Sequence, residues 1–190
     1  MTRFARIISW IGHPLVFVTV CVGIVVFTQL ESRAAMPILA ALVLSVIVPT
    51  AILLFLGVRS GRWLDADVSV REERTRFYPV AIPLSAVGTA MSWLVGAPRY
   101  ILRGGIVTLL LLVTAAITNL WHKISLHTLF ASYCTVVLFR LNPIYGLASL
   151  LLAALVFWAR LFLARHSFAE TLGGAVLGVA GGVATAWLSI

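Results

Sequence analysis

Charge is scarce in this sequence. Asp, Glu, Lys and Arg make up 11% of its 190 residues, against about a quarter in a soluble domain. Acid is scarcer still: six Asp and Glu stand against 14 Lys and Arg, for a net charge of +8. Hydrophobic residues reach 62% and the mean hydropathy is +1.09, so too few polar residues remain to clothe a core of this size in water. That excludes a water-soluble monomer and a disordered chain. Cysteine is nearly absent. Cys21 and Cys134 both sit in apolar runs, which excludes a disulfide scaffold and leaves them as small apolar packers. No Cys/His spacing suits zinc. No period of roughly 20–50 residues recurs, which excludes a repeat architecture.

What the chain has in quantity is uncharged length. Stretches without Asp, Glu, Lys or Arg cover 7–30, 34–58, 77–98, 104–122, 124–139, 141–159 and 171–190. About 20 apolar residues cross a bilayer core. The pattern predicts an all-α, polytopic membrane helical bundle, with six to seven transmembrane helices in a single domain over 1–190. The helices are expected at about 7–29, 36–58, 79–97, 104–121, 125–140, 142–160 and 168–189, with a polar loop at 59–78. The run 124–139 is the weakest. It is short and contains His127, so it spans only if other helices shield it and Arg140 snorkels to the interface. The first run follows the basic start Met-Thr-Arg-Phe-Ala-Arg in the manner of a signal peptide. It is too long for one, and reads as a retained first helix.

Trp10, Trp63, Trp121, Trp158 and Trp187 fall near predicted span ends, as an aromatic belt requires. Gly174, Gly178 and Gly182 repeat every four residues on one face of the last span. Such a face admits a neighbouring helix backbone, either within the chain or as a homodimer seam.

With seven spans, Arg3, Arg6, Arg59, Arg62, Arg71, Arg74, Arg76, Lys123, Arg160 and Arg165 share a side. Arg33, Arg99, Arg103 and Arg140 take the other. This ten-to-four asymmetry predicts a multi-pass plasma-membrane protein with the richer side in the cytoplasm. The basic residues lie in short loops, where they meet anionic lipid headgroups, and nucleic acid is not an expected partner.

Three polar clusters on that richer side hold most of the chemistry. They are Asp65-Ala-Asp67-Val-Ser-Val-Arg71-Glu-Glu-Arg74-Thr-Arg76-Phe-Tyr78-Pro79, then Trp121-His122-Lys123-Ile-Ser125-Leu-His127, then Arg160-Leu-Phe-Leu-Ala-Arg165-His166-Ser-Phe-Ala-Glu170. Ionisable groups near membrane depth are costly and mark function or satisfied pairs. If helical, His166 and Glu170 share a face, as do Lys123 and His127. A carboxylate on one imidazole nitrogen fixes the tautomer and leaves the other as base or nucleophile. Arginines fork onto phosphate oxygens. Two histidines, one carboxylate and several cations suit phosphoryl transfer, with the cations in place of a metal.

Arg160-x5-His166-x3-Glu170 resembles the third motif of the type-2 phosphatidic acid phosphatase superfamily, an Arg followed by His and then an acid at those spacings. Lys123-Ile-Ser125-Leu126-His127 is similar to the second motif, Pro-Ser-Gly-His. Arg71-x6-Tyr78-Pro79 lies where the first, Lys-x6-Arg-Pro, belongs. The resemblance runs from about 65 to 185. It implies a phosphatidic acid phosphatase-like helical core and an integral membrane lipid-phosphate phosphatase acting through a phosphohistidine, with neither metal nor other cofactor. By that match His166 is the nucleophile, Glu170 its orienting acid and His127 the general acid. Arg160, Lys123, Ser125 and Arg71 hold the phosphate, with Arg74 or Arg76 in place of the cation that Tyr78 displaces. The implied substrate is a membrane lipid such as a polyprenyl (di)phosphate or phosphatidate. Leu126 stands for the second motif's Gly, Ala159 for the Ser before the third motif's Arg, and Glu170 for Asp.

Alternatives stand beside this. Residues 71–74 also read as a solvated loop of local ion pairs, His127 as a carbonyl-bonded core histidine, and His166–Glu170 as a helix-end pair. His13, beside Pro14, reads as structural or interfacial, and Asn119 as an interhelical bond. Asp65 and Asp67 offer hard oxygens to Mg²⁺, which would make a prenyl-transferring membrane enzyme. A third reading is a non-catalytic binder or transporter of lipid phosphates.

Overall fold

The computed structural model describes residues 1–187, so the last two residues of the predicted span 168–189 lie outside the described residues. Every regular element among the described residues is helical. They are α1 Thr2–Ile11, α2 Pro14–Gln29, α3 Ser32–Leu42, a π-helical turn Val43–Ile47, α4 Val48–Arg59, α5 Arg71–Leu94, α6 Arg99–Thr118, α7 Leu126–Leu141, α8 Pro143–Phe162 and α9 Phe168–Trp187. Five helical segments are long and apolar enough to cross a membrane: Ser32–Arg59, Arg71–Leu94, Arg99–Thr118, Pro143–Phe162 and Phe168–Trp187. A sixth is added if α1 and α2 count as one broken span. Six to seven were expected, and the differences lie in the first helix and in α7.

The first helix does not run unbroken from 7 to 29. It breaks at Gly12–His13, where the axis bends by 50°. Pro14 at the first position of α2 has no N–H to continue the ladder, so the chain restarts there. The second predicted helix, 36–58, instead runs from Ser32 to Arg59 through the π-helical turn. That turn lies over Ser45, whose carbonyl is four residues before Pro49, where the proline ring would otherwise collide with a regular helix.

The chain packs as two compact units, Met1–Val25 with the chain from His122 onward, and Val26–Trp121. In the first unit α7 is packed against α8 and α9. Ten of its sixteen residues are buried. At sixteen residues it is shorter than the candidate spans, but it is shielded, as a run carrying His127 requires. The glycine face of α9 makes this possible. A Cβ on Gly174 would strike the Ser125 carbonyl oxygen, and one on Gly178 the Leu129 carbonyl oxygen. One on Gly182 would meet Val136. The glycine face therefore receives α7 of the same chain, the intramolecular one of the two expected uses. Thr128 Oγ1 donates to the Thr171 carbonyl at 2.9 Å, and Thr135 shares a 2.8 Å bond with Ser149 on α8. Further along the same buried stripe of α8, Ala5 and Ile8 of α1 form a small core with Val156 and Ala159.

In the second unit α5 begins at Arg71, not at 79, and absorbs most of the basic run of the predicted loop into its first turns. Glu72 and Glu73 fall in the first turn, where the helix dipole favours acid. Trp63 is not at a lipid interface. It is buried with its indole over Gly57, edge-on to Phe77. Gly57 leaves room for that ring, so this tryptophan anchors the loop. Trp10, Trp121 and Trp187 are exposed, as a belt requires.

Candidate active site

The second and third polar clusters meet at one end of the first unit. The tie is a backbone bond, Ser125 N–H to the Glu170 carbonyl at 3.0 Å, which joins the start of α7 to the start of α9. Arg160, in the last turn of α8, reaches the same end through the short connection 163–167.

His166 lies in that connection, one residue before Ser167 and just outside the helix, so it does not share a helix face with Glu170 as the spacing predicts. The pair forms all the same. His166 Nδ1–H donates to Glu170 Oε2 at 2.9 Å, and the histidine side chain is fully buried. The reason is a reciprocal helix start. Ser167 N–H donates to the same Oε2 at 3.1 Å, while Glu170 N–H donates to Ser167 Oγ at 3.3 Å. This is a capping box, Ser-x-x-Glu, and it holds the carboxylate back toward the chain that precedes α9. The signal was present in Ser167-Phe-Ala-Glu170, where sequence reasoning saw only the histidine spacing. Lys123 Nζ stands 3.7 Å from Glu170 Oε2 and 3.5 Å from the Arg165 carbonyl. It precedes α7 and is not stacked on that helix with His127; it pairs with the carboxylate that holds His166. One carboxylate oxygen thus receives an imidazole, an amide and an ammonium.

His127 is buried in the first turn of α7. Its ring meets that of His13 edge-on, with centroids 5.4 Å apart and planes at 85°. Ser125 is the N-cap of α7, its hydroxyl accepting from Thr128 N–H at 3.4 Å. Arg160 is 0% exposed, and its Nη1 donates to Ser9 Oγ of α1 at 2.8 Å. Ser9 and His13 are the residues at this end that sequence reasoning did not place there. His13 was visible only as an odd polar residue in an apolar run, and Ser9 had no signal at all.

Arg71, Arg74 and Arg76 belong to the second unit. Arg71 Nε donates to the Asn119 carbonyl at 2.8 Å, and its Nη2 to the Leu120 carbonyl. Asn119 returns a 3.1 Å bond to the Arg71 carbonyl. The guanidinium thus sits at the C-terminal, negative end of α6. Arg74 is buried and donates from Nε to the Val68 carbonyl at 2.8 Å. Arg76 is exposed. Asp65 receives the Ser69 N–H at 3.2 Å and also the Ser69 hydroxyl, which makes it a turn residue. Asp67 is half-buried in the same turn. Among the described residues, no three His, Cys, Asp or Glu are grouped to hold a metal ion.

Fold and composition together define an all-helical protein with several helices apolar and long enough for a membrane. No family model, curated protein or solved structure matches the chain.

Proposed function

We propose that the protein is an integral membrane lipid-phosphate phosphatase that works through a phosphohistidine without a metal. The observation that carries this reading is the buried His166 with Nδ1 on Glu170. That bond puts the ring proton on Nδ1 and leaves the Nε2 lone pair for attack. In the reaction His166 Nε2 forms a bond to phosphorus as the bond to the lipid oxygen breaks. His127 gives its proton to the leaving alkoxide. Water then attacks the phosphohistidine, His127 takes up its proton, and inorganic phosphate leaves. Lys123 and Arg160 supply cationic donors at this end of the unit for the phosphate oxygens. The substrate is an amphiphile such as a polyprenyl (di)phosphate or phosphatidate, entering from the bilayer, with the site on the cytoplasmic side.

The test is phosphate release from a panel of lipid phosphates by the purified chain, with and without EDTA. Release that survives EDTA and is blocked by vanadate is the expected result. An absolute Mg²⁺ requirement would transfer the activity to a reading built on Asp65 and Asp67. Binding without turnover, unchanged in His166→Ala, would make the protein a lipid-phosphate binder.

A further inference from the structure

The N-terminal segment carries two polar groups into the end of the unit where the histidines lie. Ala5, Ile8 and Ser9 of α1 and its C-cap Gly12 share one face, and that face lies on Val156, Ala159 and Arg160 of α8. Gly12 is needed for this approach, since a Cβ there would strike the Val156 side chain. The 50° bend after it lets α1 lie along α8 while His13 meets α7. We propose that Ser9 and His13 are positioning residues, Ser9 for the Arg160 guanidinium and His13 for the His127 imidazole; the proposal deepens the phosphatase reading and rests on it for the roles of those two partners.

The chemistry of each contact is specific. The guanidinium is planar, so fixing Nη1 on Ser9 Oγ at 2.8 Å fixes the direction of its other N–H bonds. Both groups are buried, where such a bond is not shared with water. His13 Nδ1 accepts the Leu15 N–H at 3.3 Å at the start of α2, so the neutral ring carries its proton on Nε2. Its ring then stands edge-on against His127. That contact limits the rotation of the buried His127 ring, so His13 sets the direction in which His127 presents its proton.

The test uses the full chain in lipid nanodiscs with Ser9→Ala, Ser9→Thr, His13→Phe and His13→Asn. Ser9→Ala should weaken vanadate inhibition and lower kcat/KM roughly tenfold, a charged hydrogen bond's worth, and Ser9→Thr should recover most of it. His13→Phe keeps a ring against His127, and His13→Asn removes it. His13→Asn should slow alkyl phosphates roughly tenfold, spare an activated aryl phosphate and shift the His127 ring signals in the NMR spectrum, and His13→Phe should recover most of these. Wild-type rates, vanadate inhibition and leaving-group dependence in both Ser9→Ala and His13→Asn would overturn the proposal and leave the phosphatase reading intact. An NMR shift of His127 in a chain that hydrolyses no lipid phosphate would do the reverse: the contact would stand and the phosphatase reading fall.

Discussion

Glu170 does three things with one carboxylate. It orients His166, closes the capping box with Ser167 and faces Lys123. The substitutions should separate these. Glu170→Gln keeps an oxygen for the Ser167 amide but loses the charge, so it should keep most of the thermal stability and lose most of the turnover. Glu170→Ala loses both, with a stability cost of about 1 kcal/mol from the missing cap, read as a lower Tm. The two histidines should differ by leaving group. His166→Ala should abolish turnover and the acid-labile phosphoprotein on every substrate. His127→Ala should cost about 10²–10⁴-fold on alkyl phosphates and much less on an activated aryl phosphate, whose leaving group needs little protonation. A phosphoprotein that persists in His166→Ala and vanishes in His127→Ala would exchange the two roles.

Helix α7 owes its burial to what its neighbours lack. Gly174, Gly178 and Gly182 let the backbones of α7 and α9 approach closely, and the approach brings Ser125 and Glu170 into a backbone bond. Gly178→Val places a side chain against the Leu129 carbonyl and should destabilise the chain by roughly 1–3 kcal/mol, with activity falling alongside as the two clusters part. Gly23 in α2 is the control, with open space where its Cβ would be. Gly23→Ala should leave Tm unchanged or raise it, since it removes backbone freedom from a helix interior. Equal Tm losses at the two sites would mean that general helix chemistry, and not the close approach, is being read. The bend at Gly12–His13 is a second element-scale feature. The apolar run predicts one helix over 7–29, because hydropathy reports length and not direction.

At the scale of the molecule, α5 separates the loop at 60–70 from the connection at 95–98. If α5 crosses the bilayer, Arg62→Cys and Val95→Cys, both at exposed positions, should label from opposite sides with a membrane-impermeant maleimide. Cys21 and Cys134 are buried and should stay silent. The ten-to-four basic asymmetry predicts a cytoplasmic Arg62. Labelling of both positions from one side would remove α5 from the spans and overturn the alternation of sides expected from the sequence.

Class, helical content and the approximate positions of most helices were legible in the residues, because hydropathy and charge are local properties and a helix long enough for a membrane needs only a continuous apolar run. So was the His166–Glu170 pair, whose partners are four residues apart. The rest required contacts between distant parts of the chain. Arg71 finds the end of α6 across 48 residues, and Arg160 finds Ser9 across 151. Lys123 pairs with Glu170 from the far side of α7 and α8. A guanidinium reads alike in sequence whether it will hold a phosphate, a helix end or a serine. Which one it meets is decided by how closely the helices pack, and that depends on where small residues let two backbones touch.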